Sequence, residues 1–440
     1  MMVLNANNLS SILNKIGIEK LNNLQTDTLA AVEEHHEIVI AAPTGSGKTI
    51  AFLLPVINAL NPDSKGIQSL ILSPTRELAL QISEVFRSTG VPFKLNVFYG
   101  GHNFKTELQN LSEPPAVVVA TPGRLADHLR RETLNLSNLN TLVIDEFDKC
   151  LELGFENEMQ EILNKADKTA LKILTSATPI SKLPDYLKMK QPSLVFSENI
   201  ESDKLETFIV DIFNTDKLEA ARLLLSKLGI EPTLLFCNHR EAAERINNHL
   251  MSAGFQCDVF HGGLRQEERE KSLIKFRNGS CSILVTTDLA SRGLDIPEVK
   301  HVIHYQMAEN ESAYIHRNGR TARMSANGAV YILKEENEHL PEYVSTKTIK
   351  FILPKSAIRG VNTSWETLYF GAGKKEKINK IDLVGSLTQM ADVPKDSIGR
   401  IDVLDHYSFV AIKRGLGKEV VKKLNGQKIK KKQFKIALSR

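Results

Sequence analysis

The segment APTGSGKT at Ala42–Thr49 follows a short apolar run, Ile38–Ala41, and leads into a helix-forming stretch. Its glycines let the backbone wrap a phosphate, with N–H groups turned inward at a helix N-terminus. In such a loop Thr44, Gly45, Ser46 and Gly47 cradle the phosphates of a nucleoside triphosphate. Lys48 reaches the β- and γ-phosphates, and the Thr49 hydroxyl ligates Mg2+. A phosphate loop needs an acidic partner at the end of another strand, and Leu142–Ile144 delivers Asp145 and Glu146 there. Asp145 is expected to hold the Mg2+ shell, largely through water, and Glu146 to orient and activate the attacking water. An acidic pair after a strand is common by itself. Together with the phosphate loop it specifies hydrolysis.

These loops need strands to carry them. Short β-branched runs recur between helical stretches at Ile38–Ala41, Leu70–Leu72, Val117–Ala120, Leu142–Ile144 and Ile173–Thr175. Apolar runs of this length, alternating with amphipathic helices, indicate a parallel sheet covered on both faces. A second series follows at Phe208–Phe213, Leu234–Phe236, Ile283–Thr286, His301–His304 and Val330–Leu333. Two α/β domains are therefore expected, over residues 1–203 and 204–345, with a Pro-punctuated linker over 346–361. Residues 362–440 read as strand Thr367–Phe370, a helix around Ile381–Met390, strands Ile398–Leu404 and Phe409–Ile412, helix Lys418–Leu424 and strand Phe434–Leu438. That βαββαβ order is RRM-like.

The chain of 440 residues, 42 % hydrophobic and 25 % charged, has ample core material. Its apolar runs fall short of the roughly 20 residues that span a bilayer. The start, MMVLNANNLSSIL, lacks the basic segment and apolar stretch of a signal peptide. The four cysteines are scattered and read as buried thiols of a reducing cytosol. A cytoplasmic protein without membrane partners, monomeric, is expected. The net charge of +4 is uneven. Residues 362–440 hold 17 Lys+Arg against 8 Asp+Glu, leaving 39 against 44 elsewhere. A basic tail on a near-neutral body points to a polyanion or, equally on charge alone, to a solvated surface.

DEFD at Asp145–Asp148 resembles the DEAD tetrapeptide, and the surrounding motifs stand in the order of the DEAD-box ATP-dependent RNA helicases. The resemblance runs from about Gly17 to Arg323 and implies two tandem RecA-like domains, ATP and Mg2+ as cofactors, and RNA as partner. PTREL at Pro74–Leu78, Gly100–Gly101 and TPGR at Thr121–Arg124 resemble RNA-backbone motifs, which implies contacts from Pro74, Thr75, Arg76, Gly101, Thr121 and Arg124. In the second domain the implied contacts are Arg240, Gly262, Arg269 and Thr287. Ser176 and Thr178 of SAT, with Asp148 and His316, are implied to couple nucleotide state to RNA grip. Gln25 matches the adenine-reading Gln of the Q motif, although Ile18 and Leu21–Asn23 depart from it, implying looser base selectivity. RGLD implies a ribose contact from Asp295. HRNGRTAR at His316–Arg323 implies arginine fingers at Arg320 and Arg323, with Arg317 pairing with acidic groups at the domain interface. The sequence departs from these motifs at Asn318, Ala322 and Phe147.

TLYFGAGKKEKI at Thr367–Ile378 and IGRIDVLDHYSFVAIKR at Ile398–Arg414 look like the tail of the DbpA type of bacterial helicase. That likeness implies recognition of a large-subunit ribosomal RNA hairpin and a place in pre-ribosomal particles. Tyr407 and Phe409 fit the stacking strand of an RRM, while Asp405 and His406 do not. Lysine-rich loops (Lys374, Lys375, Lys377, Lys430–Lys432) are the other candidate surface. Two rivals remain at this level: an RNA-binding scaffold with a degenerate nucleotide site, and a DNA helicase.

Overall fold

The computed structural model describes the chain except residues 1–5, 44, 102–103, 167–170, 178–182, 197–204, 214, 291–298, 322–327, 345–346, 357–359, 361, 431 and 440. Residues 1–203 form one compact unit, and residues 204–291 and 296–440 the bulk of another.

The first unit is built on strands β1 (Glu37–Ala41), β2 (Ser69–Leu72), β3 (Leu95–Phe98), β4 (Val117–Ala120), β5 (Thr141–Ile144), β6 (Leu171–Ser176) and β7 (Ser193–Phe196). They form one parallel sheet in the order β3-β4-β2-β5-β6-β1-β7. Alternate residues feed two cores. Ile38, Ile40, Val117, Val119 and Val143 enter one, whereas Val39, Val118, Leu142 and Ile144 enter the other. A strand buried on both faces must be apolar at every position, which is why these runs are legible in the sequence.

The second unit repeats the plan. Strands β8 (Leu205–Ile212), β9 (Thr233–Phe236), β10 (Cys257–Phe260), β11 (Ile283–Thr286), β12 (His301–His304), β13 (Gly328–Glu335) and β14 (Ile349–Lys350) are parallel in the order β10-β11-β9-β12-β13-β8-β14. With each number shifted by seven, this is the order of the first sheet. The stretch expected as a linker thus contributes an edge strand. The Phe351 N–H donates to the Ile209 carbonyl at 2.8 Å, and its ring stands edge-on to Tyr331.

The same unit carries the tail: β15 (Trp365–Phe370), β16 (Ile398–Val403), β17 (Ser408–Lys413), a short hairpin of β18 (Lys428–Ile429) and β19 (Lys432–Gln433), and β20 (Ile436–Leu438). The four main strands form an antiparallel sheet in the order β16-β17-β15-β20. Leu368, Phe370, Val410 and Ile412 share a core with Leu383, Leu387, Val420 and Leu424 of the helical segments. The helix expected over 381–390 is an α-helix from Lys380 to Gly385 that widens into a π turn over Ser386–Met390.

The opposite sheet face is covered around Thr367 and Phe409. Asn278 donates to the Thr367 hydroxyl at 2.9 Å, the Ser280 and Thr367 hydroxyls are 2.6 Å apart, and Thr363 donates to the Ser280 carbonyl at 3.1 Å. Arg414 closes the set on the carbonyls of Thr363 and Trp365, at 2.6 and 2.7 Å. Thr367 and Phe409 are each 2 % exposed. Among the described residues, no helix is long and apolar enough to cross a membrane.

Candidate functional site

In each parallel sheet the strand order divides the C-terminal edge. In the first unit β1, β6 and β5 are neighbours, so the phosphate loop, Ser176 and the acidic pair meet on one half. The loops after β3, β4 and β2 hold Gly101, Thr121 and Pro74–Arg76 on the other.

Gly45 and Gly47 have φ of +86° and +91°, conformations that side chains resist. A Cβ at Gly47 would also lie 2.6 Å from the Gln25 amide nitrogen. The helix Lys48–Ala59 starts at Gly47 without a side-chain cap, so its first-turn N–H groups face the loop. The Lys48 ammonium is buried and donates to the carbonyls of Ala42 and Pro43, at 2.5 and 3.0 Å. Thr49 follows it, half-buried; Thr44 lies outside the described residues.

Gln25 is tied to the loop more than expected. Its carbonyl accepts the Asn22 N–H, Asn22 accepts the Gln25 N–H, each at 3.0 Å, and its amide donates to the Gly47 carbonyl at 3.4 Å. Asn22 itself donates to the Ser46 carbonyl at 2.9 Å. Asn22 departs from the family pattern, yet it forms a capping box and braces the phosphate loop.

Thr175, which carries no role in the sequence reading, organises the acidic pair. Its hydroxyl donates to Asp145 at 2.5 Å and accepts the Glu146 N–H at 3.0 Å. The available signal was a polar residue inside an otherwise apolar strand, which must find a partner. Asp145 is 3 % exposed. Burial pushes its carboxyl above the ordinary value, against the Thr175 hydroxyl and the Lys48 ammonium, which favour the anion. Glu146 is held at φ 46°, ψ 55°, a left-handed conformation that non-glycine residues adopt at a cost. Phe147 is fully buried in the core with Phe98, Leu125 and Met159. Asp148 is half-buried in the first turn of the helix Phe147–Glu152, and Thr178 lies outside the described residues. One carboxylate and one hydroxyl beside a phosphate cradle suit Mg2+, which keeps several waters and takes few protein ligands.

On the other half, Thr75 caps the helix Arg76–Ser88 by accepting the Leu78 N–H at 3.2 Å, and Arg76 lies 4.3 Å over the Tyr99 ring. Thr121 begins the helix Pro122–Arg130, and Gly101 has φ +84°. Arg124, expected to meet RNA, is paired with buried Glu107 at 2.8 Å, and His128 lies 2.9 Å from the same carboxylate. Burial raises the Glu107 carboxyl, but hydrogen bonds from His128 and Arg124 outweigh this and hold it below its ordinary value. Glu107 and His128 were not marked from sequence, because the pairing joins two helices that follow different strands.

In the second unit Arg317 is fully buried. It pairs with Asp288 at 2.5 Å and donates to Asn238 and the Gln306 carbonyl, each at 2.8 Å. Its acidic partner, Asp288, belongs to its own domain. Asn318, the unusual residue of this motif, lies 2.8 Å from His304, so one buried polar group answers the other. Arg320, expected as a finger, is 2 % exposed and enclosed by protein, and His316 is fully buried. Arg323 and Asp295 lie outside the described residues. Gly262 and Arg240 are exposed and Thr287 is half-buried; Arg240 pairs with Glu241 at 2.7 Å. Arg269, half-buried, donates to Gln266 at 2.5 Å.

In the tail Lys374 and Lys375 are exposed, and their N–H groups donate to the Leu404 and Asp405 carbonyls at 2.8 and 2.9 Å. Lys430 is engaged by Asp382 at 2.7 Å and by the Lys377 carbonyl at 2.8 Å.

A phosphate loop after β1, an acidic pair after β5 and a second sheet of the same order define a tandem RecA-like nucleotide-driven motor. Comparison with known proteins narrows the class. Residues 22–186 match the DEAD/DEAH box helicase family, 215–325 the helicase conserved C-terminal domain and 367–438 the DbpA RNA binding domain. The chain is 30 % identical to the ATP-dependent RNA helicase DbpA of Bacillus subtilis, with 96 % of each chain covered. It is 31 % identical to the Escherichia coli protein of the same name, with 97 % of this chain and 96 % of that one covered. Among solved structures, Saccharomyces cerevisiae Dbp5 bound to RNA and ADP BeF3 superposes with a TM-score of 0.67 at 25 % identity, over 76 % of this chain and 88 % of that one. The chain belongs to the DEAD-box family of ATP-dependent RNA helicases, in its DbpA type.

Proposed function

We propose that this helicase separates short RNA duplexes locally during assembly of the large ribosomal subunit, with its tail holding a ribosomal RNA hairpin. The observation that carries the reading is the tail. It has the DbpA-type fold, its sheet face is covered around Thr367 and Phe409, and Lys374 and Lys375 are exposed on a separate loop. RNA then meets the tail through that loop, not by stacking on Phe409.

In the motor, Lys48 and the loop N–H groups bind the triphosphate, and Gln25 braces the loop while reading adenine. Thr49 and Asp145 hold Mg2+, which neutralises charge on the phosphates when bound. Glu146 orients the attacking water, and Arg320 and Arg323 act as arginine fingers. Pro74–Arg76, Gly101, Thr121, Arg240, Gly262, Arg269 and Thr287 grip the RNA backbone. Arg124 aligns this surface through Glu107. Ser176, Thr178, Asp148 and His316 couple the two events. The protein works as a cytoplasmic monomer.

The test is ATP turnover with three polymers: RNA containing a large-subunit ribosomal hairpin, scrambled RNA and DNA of the same length. Preferential stimulation by the hairpin RNA is expected. Equal stimulation by hairpin and scrambled RNA would remove the ribosomal role and leave a generic RNA helicase. Absence of RNA-stimulated turnover would favour a binding scaffold.

A further inference from the structure

The tail touches the motor at a point that its sheet-face packing does not require. The Tyr407 hydroxyl donates to Glu270 Oε2 at 2.8 Å. Glu270 lies on the helix Gln266–Arg277, next to Arg269. Its other oxygen, Oε1, accepts from the Gln266 amide nitrogen at 2.9 Å, and the Gln266 carbonyl accepts from Arg269 Nη2 at 2.5 Å. Tyr407, Glu270, Gln266 and Arg269 thus form one chain of three hydrogen bonds.

The polarity of that chain is fixed at both ends, since the Arg269 guanidinium only donates. A carboxylate only accepts, so Glu270 dictates that Gln266 turns its nitrogen toward it and its oxygen toward Arg269. Tyr407 occupies the second carboxylate oxygen, and its ring is fixed by Tyr369 and Phe409, at 6.2 and 5.7 Å between centroids. The Asn278–Thr367–Ser280 contacts hold the tail at the other end of the same helix. A guanidinium held in one rotamer binds a phosphate with less loss of side-chain freedom.

We propose that Tyr407 and Glu270 are positioning residues for RNA, which set Arg269 through Gln266 and make the docked tail part of the motor's RNA site. The inference rests on the reading of Arg269 as an RNA contact. It concerns RNA bound by the motor itself, whether or not a hairpin is present.

The test measures ATPase stimulation of the full chain by single-stranded poly(U), which offers the tail no hairpin. Tyr407→Phe removes only the hydroxyl. It is expected to raise the poly(U) concentration for half-stimulation by roughly three- to tenfold, with kcat and the KM for ATP unchanged. In an Arg269→Ala background the same substitution is expected to add nothing, because contacts acting through one residue are not additive. Glu270→Gln should reproduce the effect of Tyr407→Phe. An equal effect of Tyr407→Phe in both backgrounds, or no effect in either, overturns the relay and leaves Arg269 as a contact. If Arg269→Ala leaves half-stimulation unchanged, the contact and the relay both fall, while the helicase assignment stands.

Discussion

Thr175 contacts both Asp145 and Glu146 with a single hydroxyl, so it helps to place both members of the acidic pair. Thr175→Val would remove one donor from a buried carboxylate and one acceptor from a buried N–H. The expected cost is about 2–3 kcal/mol, read by denaturant unfolding, with turnover lowered at least about tenfold because the pair shifts. Thr175→Ser keeps the hydroxyl and should behave nearly as the parent. Loss of activity in both variants would mean that the methyl group, not the hydrogen bonds, matters. Glu146→Gln addresses the chemistry itself. It preserves size and burial, so ATP and RNA binding should survive while turnover falls by at least about two decades, equivalent to roughly 2.7 kcal/mol. Turnover within threefold of the parent would exclude Glu146 from activating water.

At the scale of elements, the strand order sets the phosphate loop and the acidic pair apart from Gly101, Thr121 and Pro74–Arg76 along one sheet edge, and β12 carries two buried histidines. His301 and His304 both lie on that central strand. Burial, with a nearby cation in each case, lowers them to about 4 and about 3. In the unfolded chain both titrate near 6.5, so the unfolded state takes up protons first. Stability from this source is therefore fully present above about pH 6.5 and declines as pH falls toward 4 and 3. The slope is up to about 1.4 kcal/mol per pH unit for each histidine. Denaturant unfolding at pH 7 and pH 5 should show this decline, and His304→Gln should flatten it. An unchanged slope in that variant would assign the acid sensitivity to other groups.

For the whole molecule, the excess positive charge of residues 362–440 lies on a tail whose sheet face is partly occupied. In the proposed reading its electrostatics act through the loops. Lys374, Lys375 and Lys430 are all exposed, and Lys430 pairs with Asp382. Replacing Lys374 and Lys375 together by alanine should weaken binding to hairpin and scrambled RNA by similar factors. The dependence of log K on log salt should become shallower by about 1.4, at about 0.7 per lost phosphate contact on single strands. Lys430→Ala should chiefly lower the stability of the tail. A salt slope that changes for Lys430→Ala and not for the double variant would place the RNA on the hairpin of β18 and β19.

The sequence by itself determined what is local or fully buried. The phosphate loop, the acidic pair and the arginine motif are contiguous segments, so residue type and spacing suffice to read them. The strands marked from sequence are the central ones, apolar because both their faces are covered. The four left unmarked in the parallel sheets are β3, β7, β10 and β14, and each is an edge. An edge strand can carry polar residues on its open side, so its pattern resembles a loop. The tertiary structure alone decided which partners the functional side chains keep. Arg124 meets Glu107, Arg317 meets Asp288, Thr175 holds the acidic pair, and Tyr407 reaches Glu270 across 137 residues of chain. Each of these pairs joins elements whose proximity depends on strand order and on the docking of the tail. Those are consequences of burying all the apolar faces at once, which no local stretch of sequence encodes.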